Sequence, residues 1–516
     1  MNAKLALVAL ACIISLAAQP LHAVTWYVTQ SGAGQLDGSA WANARPGYQL
    51  QLAIDGAAPG DQVWVQFGTY RPTMTSDRAA AFHMRHGVAI YGSFAGNETL
   101  VSERPFAGGP ISVLSGEIGA PGIQDNSYHV ISNTGLDATA ILDGFVIRDA
   151  NDDRPASSTE GLGGGIFNDG TNGGQCSPTI RYCVITSNGA AFGAGIFNSG
   201  YLGQSSPVIE SCIIVQNYAY TGGGGIDNFG LAGIASPTIV NTLVVHNGAA
   251  FRAGGMYCWG GNNGEASPTI VNSVFAHNTA VDGGGLVADN LNTGAGSSGT
   301  ARPIFRNSIV WGNTATGSGP QFFTLGDGAC SATYTDIDLS GQVAPHMLSG
   351  ASTGNIGSDP LFLNSANVLG MDGYWMTADD GFALQSLSSC RDVGNGTGLP
   401  LRDLLQAPRV NNGVVDLGAY EYIALPLASQ TQADASMQHG HAAGQLSISP
   451  NPSTGPAHLR GAVPGEHAYL LDAQGRTCAQ WRAHAGEMDF GGLPSGMYVV
   501  VVRGRDGLRS LRWVKR

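Results

Sequence analysis

A glycine-rich block of sequence returns every 30 residues, five times in succession. Gly165, Gly195, Gly225, Gly255 and Gly285 are each 30 residues apart, and so are the residues that follow them, Ile166, Ile196, Ile226, Met256 and Leu286. So strict a period makes each unit one module stacked on copies of itself, because a unit this small cannot bury its own apolar face. Each unit also carries a proline element, Ser-Pro-Thr-Ile or a variant, at Pro178, Pro207, Pro237, Pro268 and Pro303. An apolar run ending in asparagine follows, at Asn188, Asn217, Asn247, Asn278 and Asn313. Three short β-branched runs bounded by Gly, Asn or Pro predict three strands per unit. No apolar series at 3.6 spacing persists, so helical repeats are excluded. A propeller blade of about 40–45 residues with four strands fits poorly. The expected fold is all-β: a right-handed parallel β-helix (solenoid) in which every strand pairs with its copy about 4.8 Å away in the next coil.

The repeat accounts for several residues that would otherwise suggest chemistry. The five asparagines predict a structural ladder in a turn, where side-chain amides bond to one another and asparagine tolerates left-handed backbone. Asn168, Asn198 and Asn228 predict a shorter one. Cys183 and Cys212 hold the place of Thr242, Ser273 and Ser308 in later coils, which makes them small core residues; parallel neighbours are poor geometry for a disulfide. His246 and His277 stack just before the asparagines, as a surface-turn ladder or as a catalytic or metal pair. Arg252 and Asp282 are equivalent in adjacent coils and predict a surface ion pair.

Composition agrees with an exported chain. Residues 1–23 carry one charge, Lys4, an apolar run from Leu5 to Ala18 and a cleavage site at Leu21-His22-Ala23, which together read as a signal peptide. Without that segment seven cysteines remain, at scattered spacing, with no disulfide framework and no Cys-x-x-Cys metal pattern. The net charge of −13 argues against nucleic acid as a partner. Residues 445–516 differ: nine Lys plus Arg against five Asp plus Glu give +4 there.

The flanking segments carry family resemblances. Thr25-Trp26-Tyr27-Val28, Tyr91-Gly92-Ser93-Phe94 and Asp125-Asn126-Ser127-Tyr128-His129-Val130 resemble the opening coils of bacterial surface β-helix proteins, and this segment is expected to supply the N-terminal cap, with alternating strands and tight turns through Ala53-Ile54 and Pro59-Gly60-Asp61. Asp359-Pro360-Leu361-Phe362, Thr377-Ala378-Asp379-Asp380-Gly381 and Val415-Asp416-Leu417-Gly418-Ala419-Tyr420-Glu421-Tyr422 resemble the closing module of the choice-of-anchor Q family, which names an architecture and no reaction. The expected divisions are the β-helix with its cap at 24–345, the closing module at 346–424 and a flexible linker at 425–444.

Residues 445–516 read as short strands and turns, a small antiparallel β-sandwich. Pro450, Asn451, Pro452, Gly455, Asp472, Gly475, Leu493, Pro494, Gly496, Tyr498 and Lys515 stand in motifs that resemble the type A C-terminal sorting domain of the type IX secretion system of the Bacteroidetes. That resemblance implies recognition by the outer-membrane translocon, removal by its C-terminal signal peptidase, and a passenger secreted or attached to the outer face of the outer membrane.

Parallel β-helices include polysaccharide lyases and hydrolases, which need a base beside a bound cation or paired carboxylates about one sugar bond. The repeats contain no lysine. An enzyme here would have to draw on Asp149, Asp152, Asp153, Asp227 and His246. Asp149, Asp152 and Asp153 have the oxygen count for calcium and also the composition of a solvated loop; no other cofactor is indicated. His83 and His86 lack further ligands in sequence. The loops after the first strand of each unit vary in length while the strands stay alike, and Tyr201, Phe229, Tyr257 and Trp259 on that side could stack on sugar rings or pack under the loops. The expected role is adhesion or glycan binding, with a polysaccharide lyase or glycoside hydrolase as the alternative.

Overall fold

The computed structural model describes residues 23–104, 109, 111–155, 160–291, 299–344, 346, 348, 352–411 and 413–423, together with the strand segments 447–449, 458–460, 467–471, 477–482, 496–504 and 507–515. The chain divides into two compact units, Met1–Ala424 and Leu425–Arg516. The signal peptide expected at 1–23, apart from Ala23, and the linker expected at 425–444 fall outside the described residues.

The first unit is a parallel β-solenoid. Its described strands form four sheets of eleven, nine, six and seven strands, each strand pairing with its copy one coil away. One coil runs Thr179–Arg181 in the first sheet, Val184–Thr186 in the second, Gly189–Phe192 in the third and Ile196–Ser199 in the fourth. A coil thus has four strands where three were expected. The additional one is written in small residues, Gly-Ala-Ala-Phe or Tyr-Ala-Tyr, and presents only Ala190, Ala219, Ala249 and Ala280 inward. It lacks the β-branched run that marks the others.

Coil spacing explains the repeated glycine. A Cβ on Gly195 would lie 2.4 Å from the carbonyl oxygen of Gly225 in the next coil, so only hydrogen fits. Inside, the asparagine ladder is continuous. Asn188 Nδ2 donates to Asn217 Oδ1 at 3.0 Å, Asn217 to Asn247 at 3.0 Å, Asn247 to Asn278 at 3.1 Å and Asn278 to Asn313 at 2.9 Å. The same Nδ2 atoms also donate to backbone, as Asn247 does to Ile214 O at 2.9 Å. The second ladder is longer than expected, running from Asn133 through Asn168 and Asn198 to Asn228. Left-handed backbone is not where the ladder was expected to use it: it falls one residue earlier, at Ser187, Gln216, His246, His277 and Gly312. Cys183 and Cys212 are buried free thiols, as their place in the repeat implied.

At the N-terminal end a short helix, Leu50–Gly56, buries Leu50, Ala53 and Ile54 in the solenoid core. It replaces the strand and turn expected around Ala53-Ile54. The closing module behaves differently from a plug. Its Val368, Phe382, Leu384, Leu404, Leu417 and Tyr420 form a second core with the outer face of the second sheet, on Val184, Ile213, Leu243, Val274 and Ile309. That sheet is apolar on both faces, as in Leu243-Val244-Val245, the pattern of a sheet covered on both sides. The module also bonds the turn between first and second sheets, where Asn241, Asn272 and Asn307 adopt left-handed backbone. Asn241 Nδ2 donates to Arg402 O at 2.7 Å, Asn272 Nδ2 to Asp416 O at 3.2 Å and Asn307 Nδ2 to Asn395 O at 2.9 Å. The module is a strap along the flank.

In the second unit the described strands are antiparallel. Ser447–Ser449 pairs with His458–Arg460, and a four-stranded sheet contains Thr477–Arg482, His467–Leu471, Gly496–Gly504 and Gly507–Lys515 in that order.

Replacing Asn247 by leucine removes its amide from a buried chain of bonds: the Asn217 backbone N–H and Nδ2 both lose Asn247 Oδ1, and Asn278 Oδ1 keeps only the backbone N–H of residue 247. The expected loss is about 2–4 kcal/mol of unfolding free energy, against under about 0.5 kcal/mol for the exposed Thr238→Ala, measured by chemical denaturation of the full chain.

Candidate functional site

Strand alternation places two rows on the outer face of the fourth sheet. The first holds Phe167, Phe197, Asp227, Tyr257, Val287 and Phe323, and the second holds Asp169, Ser199, Phe229, Trp259, Asp289 and Leu325. The first row is buried although it faces outward, because a positive-φ turn folds over it in successive coils, at Gly163, Gly193, Gly223, Ala253 and Gly283. Gly223, at φ +68°, sits where a Cβ would come within 3.0 Å of Asp227 Oδ2.

This separates the four predicted aromatic residues. Tyr257 belongs to the first row and is buried, its hydroxyl donating to Asp289 Oδ2 at 2.8 Å. It is a packing residue, and the expectation of sugar stacking fails for it. Tyr201, Phe229 and Trp259 are half-buried and consecutive: the Tyr201 and Phe229 rings are 6.0 Å apart, and Phe229 meets Trp259 edge-on at 5.1 Å. Trp259 Nε1 donates to Leu291 O at 3.0 Å, which fixes the indole against the loop of the next coil. The row is therefore a preformed aromatic edge beside the variable loops.

The acidic residues do not assemble. Asp152 is fully buried and bound by Arg154, with Nε at 2.7 Å from Oδ1 and Nη2 at 2.8 Å from Oδ2, and it also accepts the Gly161 and Leu162 amides. Asp153 pairs with Arg78 at 2.9 Å, while Asp149 pairs with Arg148 at 3.2 Å and accepts the Ser115 hydroxyl. Three carboxylates engaged by three different arginines leave no converging oxygen set for calcium. Among the described residues no group of three or more His, Cys, Asp or Glu could hold a metal ion. Arg154 and Arg78 also stack on the Tyr128 ring, at 4.0 and 4.5 Å from its centroid. His129 completes this network in neutral form, donating from Nδ1 to Gly163 O at 2.8 Å and accepting Arg154 Nη2 at 3.3 Å. Its burial pushes the imidazole pKa down.

His246 and His277 stack at 5.3 Å, as the repeat required, but the strap covers them. His246 Nε2 donates to Ser365 O at 2.6 Å, and Phe382 packs on both rings. Arg252 and Asp282 do face each other across adjacent coils, yet the expected ion pair is not formed: Asp282 Oδ1 accepts the Ser318 amide at 3.0 Å. His83 and His86 are separate, His83 on Ser132 O and His86 on Asp137 at 3.3 Å. Asp152 and Asp153 are thus tied up by arginines that stack on one tyrosine, Asp149 by Arg148, while Asp227 lies on the fourth sheet and His246 under the strap. Of the sorting-domain residues, Gly496 pairs with Lys515 and Tyr498 with Trp513, and the Tyr498 side chain is buried. The others, Pro450 to Leu493 and Pro494, fall outside the described residues.

Asp227 stands apart from the other carboxylates. It occupies an aromatic row, is 2% exposed, and its Oδ2 has no partner. Burial alone raises its pKa well above the ordinary 3.8, so the folded protein holds it protonated where the unfolded chain has lost the proton. Stability is then lost as pH rises above the ordinary carboxylate range. Asp227→Val, the residue type found at position 287 of the same row, is expected to stabilise the chain by about 1–3 kcal/mol at neutral pH. The gain should shrink toward pH 4, as read from denaturation midpoints across that range.

The chain matches no family model and no curated protein. A solved structure titled as that of the pectate lyase Pel9A is similar over 77% of this chain and 96% of its own, at 15% identity and a TM-score of 0.38. A likeness that distant contributes nothing to the reading of function.

Proposed function

We propose that this chain is an exported surface protein, a right-handed β-helix followed by a small β-sandwich sorting domain, that binds glycans along the aromatic edge of its fourth sheet. The observation that carries the reading is the continuity of Tyr201, Phe229 and Trp259 across consecutive coils, half-exposed and anchored beside the loops that vary between repeats. Aromatic faces held rigid lose little entropy on binding, and sugar rings present apolar C–H faces to them. An acidic body favours partners that are not polyanions. Adhesion follows where such a surface meets a cell or matrix glycan.

Export rests on the sequence motifs at both ends. The N-terminal segment supplies entry to the periplasm, and the terminal domain supplies a folded surface for the type IX translocon and its C-terminal signal peptidase. The antiparallel pairing of Gly496–Gly504 with Gly507–Lys515 is compatible with such a domain.

Two measurements test the proposal. Tyr201→Ala/Phe229→Ala/Trp259→Ala should weaken glycan binding at least about tenfold in affinity electrophoresis with a panel of polysaccharides, with the thermal midpoint nearly retained; unchanged mobility would refute this edge as the site. Deletion of residues 445–516 should leave the passenger in the periplasm when fractions of expressing cells are compared, and normal surface delivery would refute the sorting claim.

A further inference from the structure

The outer face of the short third sheet carries an aromatic surface that the repeat does not require. Tyr218, Tyr220 and Phe251 are 51%, 40% and 62% exposed. Sheet alternation turns Ala190, Ala219, Ala249 and Ala280 inward, so Tyr218 and Tyr220 point to solvent and contribute nothing to the core. Neighbouring coils show that the position does not need a ring: Tyr218 pairs with Gly189 on one side and Gly248 on the other.

Those glycines give the rings their place. A Cβ on Gly248 would lie 3.0 Å from Tyr218 Cδ2, and one on Gly189 would lie 3.1 Å from the Tyr220 hydroxyl. Each tyrosine therefore lies across the glycine of an adjacent coil. Tyr220 is fixed further by its hydroxyl, which donates at 2.8 Å to Oδ1 of the buried Asn151. Asn151 is held in turn by its own bond to Ile123 O at 2.9 Å. Two tyrosine rings 6.0 Å apart make a fixed aromatic pair, and Phe251 stands exposed in the bend that follows the strand of the next coil.

The rings themselves are uncharged, and the carboxylate that acts on Tyr220 from an earlier coil, Asp153, is neutralised by Arg78 at 2.9 Å. Beyond the tyrosines and Phe251, the outward positions of this sheet in the same and following coils are Gly248, Ala250, Thr279, Val281, Thr314 and Thr316, on a chain whose net charge is −13. A neutral, hydroxyl-bearing aromatic plane within an acidic body matches a ligand that is itself uncharged, with apolar faces and hydroxyl edges. We infer that this face binds an uncharged polysaccharide chain, whose sugar rings stack on Tyr218, Tyr220 and Phe251. The assignment stands on residues separate from Tyr201, Phe229 and Trp259, and either can fail without the other.

The test is calorimetric titration of the full chain with cellohexaose, xylohexaose and mannohexaose, with an oligogalacturonate as the anionic probe. At least one neutral hexasaccharide should bind. Tyr218→Ala/Tyr220→Ala/Phe251→Ala should weaken it at least about tenfold, and Tyr218→Phe/Tyr220→Phe, which keeps both rings, should retain most of the affinity. Circular dichroism and sedimentation accompany each variant. No binding of the three neutral probes, preference for the oligogalacturonate, or equal affinity in the folded alanine variant would overturn the inference. So would a dimer that the alanine variant dissolves, since the face would then serve a second copy of this chain. The Tyr201→Ala/Phe229→Ala/Trp259→Ala variant, titrated in parallel, reports on the other site alone.

Discussion

Everything in the body depends on coils stacking in one register. Backbone pairing alone would permit a slip, because parallel ladders are alike from one residue to the next, and a one-residue slip would turn every inward side chain outward. The asparagine ladders remove that freedom. Each amide from Asn188 to Asn278 bonds the amide of the next coil and the backbone of the previous one, so a shift breaks several buried bonds together. The glycine block serves the same register by letting coils approach where a Cβ would meet a carbonyl. The interior polar residues of this chain are accordingly structural.

With the interior committed, three outer faces have different fates. The second sheet is covered by the strap, and burial at that seam carries a cost: Asp336, in the last strand of the sheet itself, and Asp380 of the strap are pushed up to about 6 and about 7 by burial. Tyr420 and Thr377 hydroxyls hold Asp380, and the Cys390 thiol and Ser358 amide hold Asp336. Arg409 is buried with them and spans to the solenoid, donating to Asn241 Oδ1 at 2.5 Å. The fourth sheet is half-covered by its glycine turns, which bury Tyr257 and Asp227 and leave the Phe229–Trp259 edge. The third sheet is left bare.

The sequence showed the solenoid because its period is carried by residues with steric reasons to recur. It hid the fourth strand, because alanine and glycine in a shallow strand resemble a turn. It hid the strap's position as well, although Ile213-Ile214-Val215 and Leu243-Val244-Val245 are apolar on both faces, which only a doubly covered sheet needs. Asp149, Asp152 and Asp153 looked like one acidic site since they are close in sequence; strand alternation and three separate arginines divide them. His246 looked exposed because the segment that covers it lies more than a hundred residues later. Tyr218, Tyr220 and Phe251 escaped notice by departing from the repeat, and departure from a structural repeat is where a binding surface has room to be written.

The most direct test of the account is hydrogen–deuterium exchange of the full chain with and without a bound neutral hexasaccharide. Protection confined to the strands and loops that carry Tyr218 to Phe251, or Phe229 to Trp259, is the predicted result. Protection centred on Asp149 to Arg154 or on His246, with product appearing from the saccharide, would contradict it and restore the enzymatic reading.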